Sequence, residues 1–403
     1  MPEERIVIAG GGIGGLASAL ALARRGFRVT VLERAPRYQE IGAGIQLGPN
    51  AFHAFDRLGL GDAIRSIAVF IDQLRLMDAI TAEEITHIDL TTYFRSRFGN
   101  PYAVVHRGEL HGIMVRACEG HASITLRTDC DVTGYEQADR NVNAILHTGE
   151  RIAGRALIGA DGLRSKIRRQ MNDDGEPRIA GHTTYRSVIP TEQMPEDLRW
   201  NAATLWAGAK CHLVHYPLSG WKVFNLAITC HNDPAEAFAA KPVSHEDVLA
   251  QFRDVHPRAK AIIHHGRDWK AWVTSDRDPT EAWVDGNVAL LGDAAHPMLQ
   301  YFAQGACMAV EDAVSLAERV SAEPDNIQQA LQKYRTERLL RTTRVQLQSR
   351  ELGNHVYHPS GAHALLRNQL VRDTSLEQFC ENLSWLYQSP FDDYEPEAVH
   401  KNH

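Results

Sequence analysis

The sequence predicts an α/β fold: a Rossmann-like domain with a parallel sheet, an inserted second domain rich in β-sheet, and a helical C-terminal segment. Three observations predict it. A β-branched apolar run near the N-terminus leads straight into a glycine cluster, Gly10-Gly11-Gly12-Ile13-Gly14-Gly15. Far downstream a second short apolar run leads into Gly292-Asp293-Ala294-Ala295-His296-Pro297. Between the two, the chain switches to the alternating texture of solvent-facing strands.

Arg5–Ala9 reads as a buried strand, and Leu16–Arg25, rich in Leu and Ala, as a helix that Gly26 stops. Val29–Leu32 is a second strand with Glu33 at its C-terminal end, which completes a βαβ unit in about 30 residues. Ala156–Ala160 and Val288–Leu291 are further apolar strands, bordered by Asp161-Gly162 and Gly292-Asp293. From roughly Thr183 to Trp272, His212–Tyr216 and Val223–Thr229 alternate as strands do, so this stretch is expected to form the inserted sheet domain. Asn326–Glu351, dense in Arg and Gln, reads as helix, and the polar tail from Asp392 to His403 is expected to fray.

With 403 residues the chain can build two cores, and 44% hydrophobic with 23% charged residues is ordinary for a soluble enzyme. A net charge of -7 gives no electrostatic reason to bind nucleic acid or an anionic membrane. Cys118, Cys130, Cys211, Cys230, Cys307 and Cys380 show neither C-x-x-C nor metal spacing, which suits free thiols in a reducing cytoplasm. Ile6–Ala23 is apolar, but Glu3 and Glu4 precede it and Arg24-Arg25 follow it, the reverse of a signal peptide. No other run approaches the ~20 apolar residues of a membrane span. A cytoplasmic protein is expected.

Gly10-x-Gly12-x-x-Gly15 follows a strand and opens a helix, the context that makes it a pyrophosphate seat. The first glycine permits the turn, the second admits the pyrophosphate to the backbone, and the third lets helix and strand pack closely. The helix N-terminus adds free N–H groups and partial positive charge. Glu33 stands where a carboxylate can accept from adenosine ribose hydroxyls and repel a 2′-phosphate, so FAD or NAD is expected, not NADP.

Gly159-Ala160-Asp161-Gly162-Leu163-Arg164-Ser165-Lys166-Ile167-Arg168 resembles the "DG" fingerprint, and Leu290-Leu291-Gly292-Asp293-Ala294-Ala295-His296-Pro297 the "GD" fingerprint, of the single-component flavoprotein aromatic hydroxylases. Glu40-Ile41-Gly42-Ala43-Gly44-Ile45 and Pro49-Asn50-Ala51 resemble that family's loop beside the isoalloxazine ring, and His106-Arg107-x-x-Leu110 its flavin-contacting arginine segment. The resemblance implies a para-hydroxybenzoate-hydroxylase-like fold holding tightly bound FAD, with NADH as a transient cosubstrate. Its cofactor residues would be Gly10, Gly12, Gly15, Glu33, Arg34, Gly44, Ile45, Arg107, Asp161, Asp293, Pro297 and Gly305. The implied division gives 1–72, 98–182 and 273–345 to the FAD-binding domain, 73–97 and 183–272 to the substrate domain, and 346–403 to a helical C-terminal segment. A second G-x-G-x-x-G and a C-x-x-x-x-C redox pair are both missing, which argues against a disulfide reductase.

Within the family, Lys210–Pro217 and His296–Gly305 resemble the 3-hydroxybenzoate 6-hydroxylases. Carried over residue by residue, that resemblance gives His212 and Gln300 as the catalytic pair, with Tyr216 on the substrate. It implies hydroxylation by a flavin C4a-hydroperoxide para to the phenol oxygen, converting 3-hydroxybenzoate and O2 to gentisate. Such an electrophile attacks a phenolate, so a base of near-neutral pKa is expected, and histidine supplies one. Gln300 would donate an amide hydrogen bond to the phenolate. His212 and His215, three apart on a strand, face opposite ways, and resemblance alone selects His212. Tyr216 is expected to share His212's face only if the strand bends at Pro217. Neither His215 nor His296 has recognisable metal spacing, so no metal is expected. Homodimers are common in the family. Salicylate 1-hydroxylation to catechol, a flavin oxidoreductase without oxygen insertion, and a non-catalytic nucleotide-binding scaffold are the alternatives. Nothing in the sequence names the group that holds the substrate carboxylate.

Overall fold

The computed structural model describes residues 5–39, 44–138 and 141–392. Glu3, Glu4, the Glu40–Ala43 part of the ring loop and the tail from 393 lie outside the described residues. Strand β1 (Arg5–Ala9) and strand β2 (Arg28–Leu32) pair in parallel, joined by helix α1 (Ile13–Arg24). The helix begins three residues before the Leu16 expected, because Gly12 serves as its N-cap and Ile13 already buries its side chain. It is apolar on nearly all sides, since it is packed between the sheet and the helix Gly305–Ala322. A six-stranded sheet runs from the Val284–Asp285 edge through Val288–Leu290, Ala156–Gly159, β1 and β2 to Ile124–Arg127, parallel except at that first edge. The buried cluster from Ile6 through Val29, Leu157 and Leu290 is its core.

An eight-stranded sheet stands beside it, with Lys241–Pro242, Arg267–Asp276, Arg178–Pro190, Val223–His231, Cys211–Leu218, Ala202–Gly208, Gln73–Asp78 and Glu84–Asp89 in spatial order. Every neighbour pair in it is antiparallel except Ala202–Gly208 with Gln73–Asp78. Helices His245–Gln251 and Pro257–His265 cover one face, burying Val248, Phe252 and Ile262 against Trp206 and Leu226. The opposite face is left to build a site. The 26-residue helix Ile327–Leu352 runs unbroken through the division expected after 345. It continues into a π-helical turn, Gly353–Tyr357, that brings the C-terminal segment back against the sheet. No described helix is long and apolar enough to cross a membrane.

Candidate active site

A cavity of about 590 Å³ joins the glycine loop of the first sheet to the open face of the second. Gly10, Gly12, Glu33, Arg34, Gly44, Ile45, Arg107, Asp161, Asp293 and Gly305 line it, together with His212, Tyr216 and Gln300. Gly15 and Pro297 are not among the lining residues. Gly15 acts one layer back: a Cβ there would sit 2.0 Å from the Gly10 carbonyl oxygen, so helix and turn can touch only through glycine. Pro297 gives its carbonyl to Gln346 Nε2 at 3.1 Å, and so ties the loop to the long helix.

At the dinucleotide end, Gly10 has φ +107°, and a Cβ on it would meet the Ala160 carbonyl oxygen at 2.3 Å. The cradle is therefore shaped by bare backbone, as a pyrophosphate requires, and FAD fits it. Glu33 accepts from Gly11 N and Ala35 N, each at 2.8 Å, which holds its carboxylate at the end of β2 with lone pairs to spare. His111 Nε2 pins the loop from below, 2.8 Å from the Gly11 carbonyl oxygen. Asp161 lines the cavity but commits Oδ2 to the Lys166 amide at 2.8 Å, capping the next helix. Burial pushes its carboxyl above the usual range.

The ring end is supported by a buried ion network. Asp312 lies 2.5 Å from His296 Nε2, and it accepts from Gly292 N at 3.1 Å and from Arg338 Nε at 2.7 Å. Glu311 takes Asn50 Nδ2 at 2.7 Å and Arg341 Nε at 2.7 Å. Burial works to raise both carboxyls, but His296 and Arg338 around Asp312, and Arg341 and Arg338 around Glu311, outweigh it and hold both below the usual range. This network fixes the Gly292-Asp293 turn and aims the N-terminus of the Gly305–Ala322 helix into the cavity, where it favours negative charge.

Strand register builds the substrate end. His212, Thr229, Thr184 and Trp272 form one row across four strands, and Val214, Ala227, Arg186 and Lys270 the next row on the same face. Tyr216, paired with Asn225, begins the third. His212 and Tyr216 thus share a face without any bend, which corrects the expectation that Pro217 would have to turn the strand. Four residues is two full alternations. His215 points the other way, among Trp200, Trp206 and Phe224.

His212 is buried, with Nδ1 2.7 Å from His358 Nε2, and the rings of Tyr301 and Tyr357 flank it. Burial, and then the charges of His358 and His182, push its pKa well below the ordinary histidine value. Burial thus works against the near-neutral base expected and favours the neutral imidazole, whose basicity an incoming acidic partner would have to restore. Gln300 also differs from expectation. Its amide nitrogen donates to Thr184 Oγ1 at 2.9 Å and Thr229 Oγ1 at 3.1 Å, so both amide protons face the sheet, while Oε1 accepts from Arg186 Nη2 at 3.4 Å.

Arg186 is the residue that sequence reasoning missed. It lines the cavity beside Tyr216 and Gln300, with its guanidinium 5.6 Å from the centre of the Trp272 ring. Its Nε is buried without a hydrogen-bond partner, and no carboxylate pairs with it among the described residues. Burial lowers its pKa, as does the nearby charge of Arg107, while Tyr216 acts in the opposite sense. His358 was missed as well, because it reaches the site from the far end of the chain.

The family described as FAD binding domain matches residues 3–349. Over 96% of this chain and 98% of its own length, the 3-hydroxybenzoate 6-hydroxylase 1 of Aquipseudomonas alcaligenes is 51% identical. The 3-hydroxybenzoate 6-hydroxylase of Polaromonas naphthalenivorans is 45% identical over 95% of each chain. Among solved structures, Klebsiella pneumoniae HpxO complexed with FAD and uric acid superposes with a TM-score of 0.85 at 25% identity, over 95% of this chain and 97% of that one. A salicylate hydroxylase substrate complex shares the fold, with a TM-score of 0.81 at 23% identity over 96% and 95% of the two chains. This chain belongs to the FAD binding domain family and, within it, to the single-component flavoprotein aromatic hydroxylases.

Proposed function

We propose that this protein is an FAD-dependent monooxygenase that hydroxylates 3-hydroxybenzoate at carbon 6, para to its hydroxyl, to give gentisate, with NADH and O2 as cosubstrates. The observation that carries the reading is one sheet face that sets a neutral imidazole, His212, beside an unpaired cation, Arg186, in the same cavity as the glycine cradle. A phenol and a carboxylate on one ring are the two groups such a face takes. Bound FAD supplies the chemistry that activates O2 and delivers one oxygen atom to the ring.

The chain's own residues do the rest. His212 accepts the phenol hydrogen bond and then the proton, and the phenolate–imidazolium attraction restores the basicity that burial removed. Arg186 holds the carboxylate, and Gln300 holds Arg186 in place from the threonine pair. Tyr216 walls the ring against Gly44, where a Cβ would come within 2.4 Å of the tyrosine ring. A cytoplasmic, homodimeric enzyme completes this reading. The described cysteines are all free, and Leu340, Leu365, Leu366 and Leu370 present exposed apolar surface on the C-terminal helices. The test is NADH consumption across a panel of hydroxybenzoates with products identified. Turnover of 3-hydroxybenzoate to gentisate is expected, and catechol from salicylate without turnover of 3-hydroxybenzoate contradicts it.

A further inference from the structure

His212 does not end at its own ring. The rings of His212 and His358 are 4.9 Å apart between centroids, those of His358 and His182 5.0 Å, and those of His182 and His231 4.6 Å. His231 lies at the surface with its side chain 40% exposed, and its Nε2 is 3.1 Å from Asp233 Oδ1. Four imidazoles therefore run in file from the buried wall of the cavity to solvent. Tyr301 borders the file, with its hydroxyl 3.2 Å from His182 Nδ1. His358 enters from the π-helical turn beyond residue 349, where the family match ends. The long helix passes into that π-helical turn, which sets the half-buried His358 ring against the buried ring of His212.

We propose that His358, His182 and His231 form a relay that carries the substrate's phenolic proton from His212 to solvent. The inference rests on the functional reading above. Between His212 Nδ1 and His358 Nε2, 2.7 Å apart, one proton is shared. When Nδ1 carries it, the lone pair of Nε2 is left on the cavity side, where it makes no hydrogen bond among the described residues. The phenol O–H bond then breaks as an Nε2–H bond forms on His212. The Nδ1–H bond of His212 breaks as an Nε2–H bond forms on His358. His212 is left neutral and the positive charge sits one ring outward. His358 loses its other ring proton toward His182, where ring rotation or one bridging water spans the gap, and His231 passes it to solvent. No electrons are exchanged. Burial first, then the neighbouring rings, lowers the basicity of both His358 and His182, so that neither retains the proton.

The test compares FAD-loaded wild type, His358→Gln and His231→Gln in single turnovers and at steady state with 3-hydroxybenzoate in H2O and D2O. Glutamine keeps a hydrogen bond to His212 but cannot take a proton on one side and release one from the other. Formation of gentisate is expected to slow by about tenfold or more in His358→Gln with KM within about twofold, and the solvent isotope effect is expected to rise. His231→Gln, whose exposed position leaves folding intact, is expected to slow less and to recover with free imidazole in solution. Wild-type rates in His358→Gln overturn the relay, as does a loss that appears in KM with an unchanged isotope effect. Should His358→Gln fail to fold, an unaltered rate and isotope effect in His231→Gln overturns it instead. Absence of gentisate from the wild type overturns the functional reading, and the relay with it.

Discussion

Nδ1 of His212 lies 2.7 Å from Nε2 of His358, 146 residues further along the chain. That contact gives a buried core histidine a ring partner with which it shares one proton, and the predictions start from it. His212→Ala should lower hydroxylation by about 10²–10⁴-fold, the usual range for a general base. FAD absorbance should be unchanged, and NADH oxidation should divert to hydrogen peroxide. Coupled turnover near the wild-type rate would remove His212 from the chemistry.

Arg186→Met should raise KM for 3-hydroxybenzoate by about 10–100-fold, the value of a charge-assisted contact. Turnover of 3-hydroxybenzyl alcohol, which lacks the carboxylate, should barely change. If both substrates suffer equally while the flavin potential shifts, Arg186 serves the cofactor and not the acid.

Gly10→Val and Gly15→Val should each yield colourless protein. Their Cβ atoms would lie 2.3 Å from the Ala160 carbonyl oxygen and 2.0 Å from the Gly10 carbonyl oxygen respectively, distances that backbone cannot relax. Retained flavin absorption in both variants would contradict the cradle.

The buried His182 and His215 and the half-buried His358 also set the acid limit of stability. His182 is pushed down to about 4, and His215 and His358 to about 3, burial being the first cause in each. Their folded pKa values lie below the unfolded value near 6.5, so the unfolded chain binds more protons between the two. Stability is full above about pH 6.5 and falls as pH drops toward 4, by up to about 1.4 kcal/mol per pH unit for each ring that stays neutral. Thermal melts from pH 8 to pH 4.5 should show this slope, and His215→Asn, away from the cavity, should flatten it. A pH-independent melting temperature over that range would contradict the assignment.

What was legible in the sequence was local. The glycine loop, β1, β2 and the Gly292-Asp293 turn were read because each is a contiguous run whose chemistry requires its residue types. His212, Gln300 and Tyr216 came from resemblance; the register of the sheet sets His212 and Tyr216 on one wall, and Gln300 reaches that wall from its own turn through Thr184 and Thr229. Arg186 was hidden because nothing in its neighbourhood distinguishes it from a surface arginine; only cross-strand pairing with Ala227 turns it inward. The same holds for Glu311 and Asp312, whose role depends on arginines from another helix. His358 lies in a segment with no pattern of its own, and a π-helical turn delivers it.

The most direct measurement supplies the purified FAD-loaded protein with 3-hydroxybenzoate, NADH and 18O-labelled O2, and weighs the product. Gentisate carrying one labelled oxygen in its 2-hydroxyl, on the ring carbon that was carbon 6 of 3-hydroxybenzoate, is the predicted result. Gentisate without label, a hydroxylated product of different regiochemistry, or NADH oxidised to hydrogen peroxide alone would contradict it.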